Sequence, residues 1–316
     1  MTLLCVGVSL LLVVQVGGSA RNCHPGCRCE VESFGLFDSF SLTRVDCSDV
    51  GLGSVARPIP IPLDTSHLDL SSNAISALSG TMLSGPGYTT LVSLDLSANL
   101  IAAVDAGAFS RLRYLETLDL SHNALEDLTD GCFSGLPLTE ARGGRPLSVD
   151  VSNNLLTAVT RGLTGSVPEL QSLTLAGNQL RAVPASLRDV GLRYLNLDSN
   201  PILEIREGAF AGLGDLVHLS LAGLHELAAV RPGAFRALRS LQVLDMSDAP
   251  PADLAEARGV ASLPNNILNH LPSLGSVTLG ANIHCWKTHK QGQFHRQLGQ
   301  AKSDQVLTCD VAAIIF

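Results

Sequence analysis

Leucines fall in pairs two residues apart along most of this chain, and the residue between each pair is polar. In LETLDLSHNAL, residues 115 to 125, Leu118 and Leu120 alternate with Thr117, Asp119 and Ser121. A period of two puts the apolar side chains on one side of a strand and the polar ones on the other. The frame L-x-x-L-x-L-x-x-N-x-L recurs from Leu91 (LVSLDLSANLI), Leu170 (LQSLTLAGNQL) and Leu192 (LRYLNLDSNPI), and with a changed first position over His67 to Ile75 and Ser148 to Leu156. With its second leucine position as a ruler, nine marks appear: Leu68, Leu94, Leu118, Val149, Leu173, Leu195, Leu219, Leu244 and Val277. Their separations run from 22 to 33 residues.

Self-similarity at this period is the signature of leucine-rich repeats. The pattern predicts an α/β solenoid: an arc of about nine repeats with a parallel concave β-sheet, irregular turns or short helical pieces on the convex side, and disulfide caps at both ends. Nine strands ~4.8 Å apart make a sheet about 40 Å long. Asn73, Asn99, Asn123, Asn154, Asn178 and Asn200 recur after the strands and form a ladder that satisfies turn backbone groups, broken at Leu224 and Ala249 and resumed at Asn282. GAFSRL, GCFSGL, GAFAGL and GAFRAL place Phe109, Phe133, Phe210 and Phe235 in a second, convex spine.

Hydrophobic residues make up 46% of the chain and aromatic ones 4%, a balance that suits a narrow aliphatic solenoid core rather than a membrane protein. Residues 1–20 carry an apolar run from Leu3 to Val16 and then small residues, so they are expected to be a signal peptide cleaved after Ala20. The run is shorter than a membrane span requires. A cysteine-rich cap over 21–62, repeats over 63–283 and a C-terminal cap and tail over 284–316 follow, in a secreted chain of the extracellular space without membrane insertion. Cys23, Cys27, Cys29 and Cys47 precede the repeats, Cys285 and Cys309 follow them as a candidate bridge, and Cys132 stands where the other convex motifs have Ala, as a small buried residue. Among the first four, three pairings are open. An acidic balance of −8 argues against nucleic acid as a partner.

No nucleophile with a base, metal-ligand cluster or phosphate loop is present in the sequence, so the chain reads as a binding scaffold without enzymatic activity or cofactor. No N-x-[ST] sequon occurs. Concave positions supply the candidate partner-binding residues: His67, Asp69, Asp95, Asp119 and Asp150 toward one end, Tyr194, Asp198 and His218 toward the other. The aspartates have a second reading, as hydrogen-bond acceptors for Ser71, Ser97, Ser121 and Ser152 beside them. An exposed aromatic among polar groups is a frequent interface anchor. The segment from Ile283 to Lys302 holds four Lys or Arg and no acid, which suits a solvated cap or a site for sulfated glycans.

The text CHPGCRCEVESFGLFDSFSLTRVDC, followed by PIPLDTSHLDLSSN, AFSRLRYLETLDLSHN and AFAGLGDLVHLSLA, resembles the small leucine-rich proteoglycan family. That resemblance implies the pairings Cys23 with Cys29 and Cys27 with Cys47. It also implies a developmental signalling modulator that binds bone morphogenetic protein together with chordin, and that acts on transforming growth factor, fibroblast growth factor, Notch-ligand and Wnt pathways, the last through a Frizzled receptor. The alternative implied by the wider family is an extracellular-matrix component that organises collagen fibrils. After Met246 the chain departs from the pattern, lacking most of one repeat.

Overall fold

The computed structural model describes residues 23–34, 40–53, 57–128, 131, 133–134, 146–160, 170–188, 190–248, 271–279, 283–287, 294–297 and 307–308. Nine parallel strands lie side by side in chain order: Thr65–Asp69, Ser93–Asp95, Thr117–Asp119, Leu147–Asp150, Leu170–Thr174, Tyr194–Asn196, His218–Ser220, Val243–Asp245 and Ser276–Leu279. The ruler residues meet at every step, Leu68 against Leu94, then Leu118, Val149, Leu173, Leu195, Leu219, Leu244 and Val277. Each is at most 2% exposed, so each buries nearly its whole side chain, worth about 1.5–3 kcal/mol apiece. A register slip of one residue would turn this entire row to water. The long intervals at 118–149 and 244–277 therefore leave the register intact and are taken up between strands.

At the N-terminal end Arg28–Phe34 pairs antiparallel with Phe40–Asp46, which in turn lies parallel to Thr65–Asp69. Disulfides join Cys23 to Cys29 and Cys27 to Cys47. Val45 and the fully buried Cys47 cover the end of the leucine column, which would otherwise meet water. At the other end Ile283–Lys287, Phe294–Gln297 and Leu307–Thr308 continue the sheet antiparallel. The bridge between Cys285 and Cys309 falls on side chains outside the described residues, as do Cys132, Ala249 and Asn282 and residues 1–22.

After each of the first six of these parallel strands, a left-handed residue precedes a ladder Asn. Ser72, Ala98, His122, Asn153 and Ser199 have φ between 53 and 57° or close to it, with Ala98 at 52°, and Gly177 and Gly223 fill the same slot. The Asn99 amide donates to the carbonyls of Leu70, Leu96 and Ser97, and its Oδ1 accepts from the Ile75 N–H at 3.1 Å. Asn73, Asn123, Asn154, Asn178 and Asn200 repeat this arrangement, so one side chain satisfies groups in two consecutive turns. At Leu224 the ladder stops. No Asn is there to accept from Ile202, whose N–H closes instead on the Asn200 carbonyl at 2.8 Å.

Among the described residues the convex side holds almost no helix, only the 3-10 turns Pro86–Thr90 and Ala185–Leu187. Short turns replace it because the glycine opening each GAF motif sits at positive φ, +70° at Gly107, +86° at Gly131, +66° at Gly208 and +76° at Gly233, a conformation that interrupts a right-handed helix and that other residues enter at a cost. The phenylalanines behind them are fully buried and stack in two pairs, Phe109 on Phe133 at 5.3 Å and Phe210 on Phe235 at 5.6 Å.

Candidate functional site

The concave face is built from rows of side chains that the strand register lines up across repeats. The row directly after the ruler residue begins one strand earlier than the repeats do: Asp46, Asp69, Asp95, Asp119 and Asp150 are consecutive neighbours. Each of these carboxylates uses Oδ1 to accept the backbone N–H two residues on, from Ser48, Ser71, Ser97, Ser121 and Ser152, at 2.8 to 2.9 Å. Asn196 and Asp245 do the same later in the array. One oxygen of each aspartate therefore closes a turn, as the second reading of these residues expects, and the acidic row is first a folding device. The Ser48 hydroxyl and N–H hold the Asp46 carboxyl below its usual range. No group of three or more potential metal ligands converges among the described residues.

His67 stands at the N-terminal end of the row before the ruler residue, beside Arg44 of the cap strand. Its Nδ1 is 2.8 Å from the Ser66 hydroxyl, and Arg44 is drawn to Glu32 at 2.7 Å. Burial, with the Arg44 charge behind it, lowers the imidazole's affinity for a proton.

That same row changes character along the arc. Ser93, Thr117, Ser148 and Ser172 are small and polar, then come Tyr194, His218 and Val243 on adjacent strands. The rings of Tyr194 and His218 lie 4.8 Å apart and tilted by 32°. All three side chains are half-buried, leaving one surface of an aromatic pair open on an otherwise polar sheet. A solenoid turn needs only something small at these positions. The structure thus brings Tyr194 and His218 together; Val243 extends the patch and escapes a reading of the sequence because valine between two leucines looks like core. Its signal is the register, three residues before Met246 in the same place that Tyr194 holds before Leu197.

Asp198 lies in the outer concave row and is engaged. Its Oδ1 accepts from the Ser220 hydroxyl at 2.6 Å and from the Ala222 N–H at 2.7 Å, tying the sixth repeat to the seventh. Burial pushes its carboxyl pKa up, against the pull of those two donors and with Asp245 adding repulsion. The sequence gives no warning of this, since the partner bonds lie 22 and 24 residues away. The concave candidates thus divide into Tyr194 and His218, a half-buried ring pair that Val243 extends by register, and aspartates already accepting backbone N–H groups.

Comparison with known proteins gives this fold relatives. The family described as Leucine rich repeat matches residues 89–141, 148–202 and 190–249, and Leucine rich repeat N-terminal domain matches residues 22–60. The chain is 49% identical over 339 residues to Tsukushi of Gallus gallus, covering 95% of this chain and 91% of that protein. It is 53% identical over 349 residues to Tsukushi of Danio rerio, covering 100% and 99%. A shorter likeness, 36% over 160 residues, covers 47% of this chain and 23% of Transforming growth factor beta activator LRRC32 of Mus musculus.

Proposed function

Because this chain belongs to the Tsukushi family of leucine-rich repeat proteins, we propose that it is a secreted, non-catalytic binding protein that modulates growth-factor and Wnt signalling by docking extracellular proteins on its concave face. The ligands in view are bone morphogenetic protein with chordin, transforming growth factor and the Frizzled extracellular domain. The observation that carries the reading is the half-buried Tyr194–His218 pair with Val243 beside it. Large rings on a rigid sheet contribute binding area at small entropic cost, and such residues dominate interface energetics. The disulfide-closed cap suits an oxidising extracellular compartment, and among the described residues no helix is long and apolar enough to cross a membrane. The partial likeness to a protein named for transforming growth factor beta activation supports ligands of that class.

A binding panel tests the proposal. Purified chain is presented to bone morphogenetic protein, chordin, transforming growth factor, the Frizzled extracellular domain and fibrillar collagen. Saturable binding to at least one signalling protein, with a matching change in a signalling reporter, is the expected result. Binding to collagen alone, with no reporter effect, would assign the chain to matrix assembly instead.

A further inference from the structure

Beyond the concave face, the rim where the strands end carries a stripe of uncovered apolar side chains. The residue after each ladder Asn makes one recurring bond, its N–H donating to the turn of the repeat before: Ala74 to Leu52, Leu100 to Ile75, Ala124 to Ile101 and Leu155 to Leu125, at 2.8 to 2.9 Å. Identical bonding stacks these four side chains in line across four successive repeats, spaced as the strands are at about 5 Å. Leu100 is 59% exposed and Leu155 40%; Ala74 is exposed and Ala124 half-buried. In the fifth repeat Gln179 ends the stripe.

The order of sizes along the stripe is small, large, small, large. Read backwards it is large, small, large, small. Two copies brought face to face about a two-fold axis passing between the second and third repeats therefore place Ala74 opposite Leu155 and Leu100 opposite Ala124, every leucine against an alanine. An isologous interface demands this kind of self-complementarity, and an unrelated partner gives no reason for it. Charge points the same way. The chain carries −8, so two copies repel over most of their surface, whereas these four positions hold no ionisable group. The flanking row adds Ala102 and Glu126, and the same axis sets each Glu126 against an alanine rather than another acid. From this geometry we infer that the rim of repeats one to four is the contact of a weak antiparallel homodimer, which leaves both concave faces open to ligands.

Sedimentation velocity on the purified chain, loaded up to about 0.5 mM to populate even a transient dimer, tests this. The expected result is a weight-average mass that rises toward twice the monomer's. Leu100→Asp with Leu155→Asp, both at exposed sites, should return it to monomer with an unchanged thermal midpoint. Ala124→Leu distinguishes a fitted contact from a merely sticky one: it adds apolar area but sets leucine against leucine, so dimerisation should weaken about tenfold through overpacking. A monomer at every concentration, a dimer indifferent to the double aspartate variant, or tighter association of Ala124→Leu would each overturn the inference. So would a monomeric chain whose capture of a signalling protein is lost in the double variant, which would give the stripe to a different partner.

Discussion

Replacing ladder asparagines one at a time should give unequal losses that depend on place in the ladder. In the middle, Asn154 donates to the carbonyls of Leu120, Val151 and Ser152 and accepts from the Leu125 N–H at 3.0 Å. Its acceptors have other donors: Asn123 reaches Leu120, Asn178 reaches Val151 and the His122 N–H reaches Ser152. Asn154→Ala therefore orphans one buried group, the Leu125 N–H, at a cost of about 1–3 kcal/mol. At the ladder's end, Asn200 accepts from the Leu180 N–H and donates to Leu197, and Leu224 in the next repeat offers no amide to replace it. Asn200→Ala orphans two groups and should cost roughly twice as much, about 2–6 kcal/mol. Urea unfolding followed by circular dichroism measures both through the midpoint at constant slope. Equal losses, or a larger loss for Asn154→Ala, would show that the side chains act independently of their neighbours and refute the shared-bond account.

Other consequences can be measured alongside. Asp198→Asn keeps an acceptor for Ser220 and Ala222 while removing a charge whose burial raises the folded pKa. The wild type should therefore lose stability relative to this variant as pH rises from about 4 through the raised value, and a difference that instead grows toward acid would reverse the sign. Asp198→Ala leaves the Ala222 N–H without its side-chain acceptor and should cost about 1–3 kcal/mol with reduced secretion; normal secretion and stability would show the bond to be dispensable. Removing the Cys27–Cys47 bridge by paired Ala substitution should cost about 2–5 kcal/mol, read as a lower thermal midpoint and lower yield in medium, unless the cap contributes nothing. Gly177→Ala forces a side chain into φ +64° with its Cβ against Asn153 Oδ1, so it should cost about 1–2 kcal/mol and displace the Asn153 amide from His122 Nε2, which lies 3.2 Å away; an unchanged midpoint would contradict the strain argument.

The solenoid was legible because its two signals, alternating leucines and a recurrent Asn, are local and repeated. Each ruler position from Leu68 to Val277 became a strand residue in register with the next. The near absence of convex helix was legible too, since repeats of this length predict irregular turns or short helical pieces there; the positive φ of Gly107, which supplies a local cause, was not. Of the concave candidates, Tyr194 and His218 stood out as chemistry the repeat does not require, but their mutual stacking depends on register between strands 24 residues apart. Asp198 carried no local sign of its bonds to Ser220 and Ala222, because cross-repeat contacts leave no trace in the spacing of neighbours. The aspartates of the first repeats were ambiguous for a related reason: one residue type serves both as an Asx-turn acceptor and as surface charge.

The most direct test of the concave-face account compares two double variants against the best ligand of the panel by surface-immobilised binding. Tyr194→Ala with His218→Ala should weaken affinity by about 1 kcal/mol or more, fivefold or greater, at unchanged secretion and thermal midpoint. Arg111→Ala with Arg113→Ala, exposed outside the concave strands, should bind as the wild type does. Full affinity in the Tyr194 and His218 variant, with the loss falling on the arginine variant instead, would contradict it.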